Sequence, residues 1–189
     1  MKTIIRALHE DDYKQVIELG NLVHGDGYLD LPSLVKIQAL SINNGISANF
    51  VAESAGQIVG FRLTYAAGMW DVDKWCSPTL WPCDVSKMCY FKCNTVAETL
   101  RGQGIGKKLL LSSISAAKAQ GAQAGVSHLW QQSPNNSAVG YFSSAGGKLI
   151  KYHPKRWNNI PDQPDYLCVL CGSDCQCTAC EMVLVFDEL

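Results

Sequence analysis

A glycine-rich turn set between an apolar segment and a long helical pattern constrains this chain more than any other feature. Arg101-Gly102-Gln103-Gly104-Ile105-Gly106-Lys107 follows the β-rich run Met88 to Val96. It leads into Ile105 to Gln120, which repeats apolar residues at helical spacing and stops at Gly121. In such a strand-turn-helix unit the free backbone N–H groups and the positive end of the helix dipole converge on one spot, which suits an anion and phosphate above all. Glycine is needed there because a Cβ would hold phosphate oxygens away from the backbone, and Arg101 and Lys107 add positive charge at the two ends. A tight turn with no ligand has the same local sequence, so the turn by itself leaves both readings open.

Two phosphate loops fail on spacing. A P-loop needs glycine where Arg101 stands and Ser or Thr where Lys108 stands. The dinucleotide fingerprint begun at Gly102 needs glycine at 107, which is lysine.

Around the turn, strand-like and helix-like segments interleave. Residues 2–7 read as a first strand, and Asp11 or Asp12 caps a helix carrying Tyr13, Val16, Ile17, Leu19 and Val23. His24-Gly25-Asp26-Gly27-Tyr28 breaks the pattern, and Leu31-Pro32 opens a second helix running to about Ile42. Ala48 to Glu53 and Ile58 to Tyr65 are expected to pair antiparallel across Ser54 to Gln57. Residues 69–87, with Trp70, Trp75, Trp81, Pro78 and Pro82, lose all periodicity and read as an insertion. Val126 to Gln131, Lys148 to His153 and Glu181 to Phe186 read as strands, and Asn135 to Ser144 as a short helix closed by Gly146-Gly147. With no repeat and no linker, residues 1–189 are expected to form a single α/β (α+β) domain, a mixed sheet covered on both faces.

Composition narrows the partners. With 47% hydrophobic and 17% charged residues the chain belongs with folded globular proteins rather than disordered ones. Sixteen basic residues against seventeen acidic give a net charge of −1, so no excess positive charge is on hand to neutralise a nucleic acid. No apolar run reaches membrane-spanning length, and Met1 to Asp12 carries no export segment, which points to a cytoplasmic protein without a membrane partner.

Arg101, Gly104 and Gly106 match R-x-x-G-x-G, and Asn135, Ala138 and Gly146 fit N-x-x-A followed by a distal glycine on the next short helix. Two motifs in this order, within an order of strands and helices that matches over essentially the whole chain, resemble the GNAT acyl-CoA N-acyltransferases. The resemblance implies a mostly antiparallel sheet flanked by helices, in which two parallel central strands, here Met88 to Val96 and Val126 to Gln131, splay apart. It further implies acetyl-CoA as co-substrate and direct transfer of the acetyl group to a primary amine. Val96 would meet the pantetheine; Gln103, Gly104, Ile105, Gly106 and Lys107, flanked by Arg101 and Gly102, would hold the pyrophosphate; Asn135 and Phe142 would lie on the cofactor's far side.

Direct transfer needs a neutral amine, a polarised thioester and a proton for the departing thiolate. Relatives carry a tyrosine seven residues after the motif asparagine, where this chain has Phe142 and places Tyr141 one residue earlier. One residue turns a helix by about 100°, so Tyr141 replaces that donor only with a local change of register; water and a cysteine are its rivals. Glu53, Glu98, His128 and His153 are the candidate bases, and His128, on the strand bordering the thioester, is carried forward with Tyr141. The resemblance puts the acceptor near His24 to Leu31 and Pro154 to Cys180, where Asp26 and Tyr28 suit a cationic amine. Residues 70–81, with Asp71 and Asp73, suit a lid or a homodimer contact.

Nine cysteines, an odd number without an export segment, are expected to be mostly reduced. Cys76, Cys83, Cys89 and Cys93 are scattered, whereas residues 168–180 hold five. Cys168-x-x-Cys171 and Cys177-x-x-Cys180 form two knuckle-like pairs, the candidate zinc ligands. Only five residues separate Cys171 from Cys177, and Cys175 is left spare, so free thiols are the favoured reading, zinc the next and a disulfide or redox pair the last. These thiols also keep a different function in view: a CoA-binding, metal- or redox-responsive module without turnover.

Overall fold

A computed structural model describes residues 3–161 and 163–186. Lys2, where the first strand was expected to begin, lies outside them.

The first strand is β1 (Ile4–Ala7), followed by a single 3-10 turn at Glu10–Asp12 and helix α1 (Tyr13–His24). The side chain that opens this turn is His9, which accepts from the Asp11 N–H, while the Asp12 carboxylate accepts from the His9 N–H. Arg6 grips that carboxylate with two nitrogens at 2.7 Å each, so a charged pair fixes the angle at which the chain leaves β1. Helix α2 (Leu31–Leu40) opens on a reciprocal cap between Asp30 and Ser33. It ends short of Ile42 because β2 (Ile42–Asn43) and β3 (Ile46–Ser47) form a small hairpin around Asn44-Gly45, both at positive φ.

The remaining elements are β4 (Phe50–Ser54), β5 (Gln57–Tyr65), β6 (Met88–Val96), α3 (Ile105–Ala119), β7 (Ala124–Trp130), α4 (Ser137–Ser144), β8 (Lys148–Pro154) and β9 (Thr178–Val185). Seven strands form one sheet in the order β1-β4-β5-β6-β7-β9-β8. Alternation along β5 assigns the faces: Phe61 and Leu63 pack with Val16, Leu19, Leu34 and Ile37 of α1 and α2, while Gly60 and Arg62 turn toward α3 and α4. On that second face Phe91, Leu110, Ile114, Phe142, Met182 and Leu184 form the larger core.

Every neighbouring pair in the sheet is antiparallel except β6 and β7. Those two run parallel and pair only from Met88 to Tyr90 against Ala124 to Val126; beyond that they part, as the resemblance implied. A bulge in β6 helps them diverge: Leu63 pairs with Cys93 and Thr64 with Phe91, leaving Lys92 unopposed.

Residues 69–87 are irregular but firmly tied. Glu181 of β9, fully buried, accepts at Oε1 from the Ser77 N–H and the Trp81 indole N–H, both at 2.8 Å, and at Oε2 from His153 Nε2 at 2.8 Å. Burial alone would raise this carboxyl's pKa, but the His153, Ser77 and Trp81 donors hold it below the ordinary value. The long connection between β8 and β9 is fastened to the α1–α2 loop. The Leu167 N–H donates to the Asp26 carbonyl at 2.9 Å, the Val169 N–H to the His24 carbonyl at 3.3 Å, and the Gln163 amide to the Tyr28 carbonyl at 2.8 Å. No described helix is long and apolar enough to cross a membrane.

Candidate active site

Where β6 and β7 part, a cavity of about 1330 Å³ opens and runs from the glycine turn past α4 to the α1–α2 loop and the β8–β9 connection. At one end Gly104 caps α3 in the left-handed region (φ 75°, ψ 5°), and Gly102 has φ 77°. A Cβ built on either would meet no atom within 4 Å, so both positions look onto open space at the helix's positive end. Gly106 faces inward instead, where a Cβ would lie 2.8 Å from Asn94 Nδ2. Arg101 donates from Nε to the Val96 carbonyl at 3.3 Å, and both line the cavity with Lys107. Ile105 borders it too, but its side chain is buried with Leu109 against Ala52. Gln103 is exposed on the turn.

Asn135 also lines the cavity, although α4 begins two residues later than the sequence suggested. Asn135 and Asn136 both have left-handed backbones, and the Ser133 hydroxyl accepts from the Ala138 N–H at 3.0 Å. Phe142 is a correction: rather than lying against a cofactor, it is fully buried, edge-on to Phe91 with ring centroids 5.8 Å apart.

Tyr141 does face the cavity. Its phenolic oxygen accepts from Arg62 Nη1 at 2.7 Å, which leaves its own proton free to be donated. Arg62 is 1% exposed, with its guanidinium carbon 4.4 Å from the Phe91 ring centroid. Sequence reasoning passed over Arg62, whose signal is a lone cation in the apolar run Ile58 to Leu63.

The candidate bases are dispersed. His128 Nε2 donates to the Trp75 carbonyl at 2.7 Å, which leaves Nδ1 to accept from the Tyr90 hydroxyl at 3.0 Å. Burial raises the Tyr90 phenol's pKa, and the charge of Arg156 opposes that rise. Burial, reinforced by the charge of Arg156, pushes the His128 imidazole down to about 4, so it is neutral at physiological pH with both nitrogens engaged. His153 is bound to Glu181, Glu53 is ion-paired with Arg6 at 2.8 Å near the sheet's β1 edge, and Glu98 lies exposed at the mouth by the turn.

At the far end Tyr28 lines the cavity, its ring centroid 4.2 Å from that of His24, but Asp26 is exposed and meets the β8–β9 connection through its carbonyl. His24 Nε2 lies 2.9 Å from Thr95 Oγ1, and burial, then Lys92 and Arg101, pushes its pKa down to about 4. Asp73 and Trp75 of the insertion reach the cavity, Asp73 paired with Arg156 at 3.2 Å; Asp71 is exposed elsewhere. Lys92, on the bulge, lines the same space without a hydrogen-bond partner among the described residues, and burial lowers its pKa. This end is cationic, contrary to the expectation of a carboxylate for a cationic amine.

The cysteine pairs also differ from expectation. Cys180 lies in the large core beside Met182, and Cys175 is the residue that joins Cys168, Cys171 and Cys177. A three-residue step along extended chain covers about 10 Å, too far for the sulfurs of Cys177 and Cys180 to meet at one ion.

A profile of the acetyltransferase (GNAT) family matches residues 13–146. The chain belongs to that family. Among solved structures it is similar to an N-acetyltransferase from Staphylococcus aureus Mu50, at 16% identity and TM-score 0.69 over 98% of this chain and 99% of that one. It is likewise similar to yncA from Salmonella typhimurium, solved with its cofactor acetyl-CoA, at 18% identity and TM-score 0.66 over 99% and 95% of the two chains. Arabidopsis thaliana Naa50, in complex with the bisubstrate analogue CoA-Ac-MVNAL, matches at 14% identity and TM-score 0.64 over 97% and 99%. No curated protein matches the chain in sequence.

Proposed function

We propose that this protein transfers an acetyl group from acetyl-CoA directly to a primary amine. The observation that carries the reading is one continuous cavity joining the left-handed glycine turn at the N-terminus of α3 to the gap between β6 and β7. The residues fit the co-substrate. Two glycines without side chains face open space beside Arg101 and Lys107, as a pyrophosphate requires. Past Tyr90 and Val126 no ladder bonds join the two strands, which leaves backbone groups for an extended amide chain. Acetyl-CoA would supply the activated acyl group.

The chain's own part is positioning and proton handling. Tyr141, its oxygen already accepting from Arg62, gives its proton to the sulfur as the C–S bond breaks and the C–N bond forms, and regains one from solvent afterwards. No described carboxylate is placed as a dedicated base in the gap. Lys92 and Arg156 disfavour a third cation beside them, so the acceptor amine binds neutral and its surplus proton leaves to water. Lys92, which has no hydrogen-bond partner among the described residues, suits an anionic group elsewhere on the acceptor. The test is mass spectrometry of the purified chain with acetyl-CoA and a panel of amino acids, polyamines, aminoglycosides and peptides. Acetylated product from at least one member supports the reading. Tight CoA binding with no product across the panel overturns it in favour of a non-catalytic CoA module.

A further inference from the structure

Four cysteines converge beside the acceptor end of the cavity although they are not the four whose spacing looks most like a metal motif. The Sγ atoms of Cys168, Cys171, Cys175 and Cys177 all lie within 4.8 Å of one another, with Cys171 to Cys177 at 3.7 Å and Cys168 to Cys177 at 3.9 Å. A tetrahedral ion with metal–sulfur bonds of about 2.3 Å separates its sulfurs by about 3.8 Å. From this convergence we infer that Cys168, Cys171, Cys175 and Cys177 bind one zinc ion as a closed four-thiolate site.

The surrounding backbone is shaped for it. Cys168 and Gly172 exchange two main-chain hydrogen bonds, at 3.0 and 2.8 Å, and Gly172 turns left-handed at φ 67°. This folds Cys168-x-x-Cys171-Gly172 into a tight knuckle that brings both sulfurs to one side. A metal binds the thiolate form, so each thiol gives up its proton to solvent as the ion enters. Cys168, Cys175 and Cys177 are buried, and Trp130, Trp157 and Tyr166 pack over the group. Four protein ligands leave no open position, so the ion holds structure and performs no chemistry. What it holds is the β8–β9 connection, whose residues 163–169 are bonded to the α1–α2 loop at the acceptor mouth. The inference stands independently of whether the protein turns over an amine.

The test uses the full chain, expressed without an affinity tag in zinc-supplemented medium, with metal content read by mass spectrometry. One zinc per chain is expected, falling well below one in Cys175→Ser and staying at one in Cys180→Ala. Replacement by cobalt should give the visible bands of a tetrahedral thiolate complex. In the wild-type protein a chelator should expose four thiols that resist titration before its addition, a readout that needs no variant to fold. Metal-free wild type, nine thiols titrating freely without chelator, a disulfide among the four, or zinc retained by Cys175→Ser would each overturn the inference.

Discussion

Gly104 offers the sharpest separation of folding from cofactor binding. Its backbone is left-handed at φ 75°, so any L-residue there costs about 1–2 kcal/mol. For a chain of this size that lowers the melting temperature by roughly 2–8 °C without preventing folding. The new Cβ meets no protein atom within 4 Å, so the remaining effect falls on whatever occupies the open space at the end of α3. Gly104→Asp puts a carboxylate there; within about 4–5 Å of a phosphate, at an effective dielectric of about 20, the repulsion is on the order of 3 kcal/mol. That is about a hundredfold in Kd. Gly121→Ala is the control, because Gly121 is also left-handed (φ 95°) and open, but lies at the opposite end of α3. Calorimetry with acetyl-CoA and thermal melts on wild type, Gly104→Asp, Gly104→Ala and Gly121→Ala should show similar melting losses for the two alanine variants, and a large loss of affinity only at Gly104. If Gly104→Asp keeps wild-type affinity, or Gly121→Ala loses as much, the turn does not hold the pyrophosphate and the reasoning fails.

Tyr141→Phe should lower kcat by about 10²-fold or more with acetyl-CoA affinity unchanged, measured by steady-state kinetics and calorimetry; an unaltered kcat moves the proton to water. The His24 and His128 pKa values, each depressed to about 4 from 6.5, make the unfolded chain the better proton binder in acid. Their contribution, up to about 3 kcal/mol each, is therefore complete above about pH 6.5 and fades as pH falls toward 4. Urea melts at pH 7 and 4.5 will show it, and equal midpoints would contradict it. Glu181→Gln replaces an acceptor of three hydrogen bonds with an amide that must turn an NH₂ toward a donor, a loss of about 3 kcal/mol. It should also open residues 69–87 to protease, and an unchanged melt and digestion pattern would rule out the anchor.

The parts of the fold that the sequence declares are those whose chemistry is local. The turn from Arg101 to Lys107 is legible because each glycine answers a backbone demand, and together with the second motif from Asn135 to Gly146 it places β6, α3 and α4 in order. The β2–β3 hairpin is masked in the sequence although Asn44-Gly45 marks its turn, because the apolar residues beside it continue the spacing of α2. Arg62 and Glu181 were invisible for a different reason: each acts through partners 79 and 104 residues away, Tyr141 and Ser77, and no local pattern encodes that reach. Phe142 and Tyr141 differ by one helical step, and the step sends one ring into the core and the other into the cavity. For the cysteines, regular spacing misled, since Cys177-x-x-Cys180 crosses from loop into strand, whereas the compact turn that returns Cys175 has no signature in sequence.

The fastening of the β8–β9 connection to the α1–α2 loop bears on how such a protein can change its diet. Two of the seam's bonds run between main chains, from the N–H groups of Val169 and Leu167 to the carbonyls of His24 and Asp26, while the side chains of Gln163 and Tyr166 add bonds to the carbonyls of Tyr28 and His24. Main-chain bonds ignore side-chain identity, and the side chains of Asp26, Leu167 and Val169 project into solvent. Mutational drift, or a saturation library, can therefore rewrite these positions and with them this rim of the cavity, while the scaffold beneath stays whole. Gly25 and Gly27 are closed to such exploration, because a Cβ at either would collide with the carbonyl of Leu167 or of Asp165 across the seam.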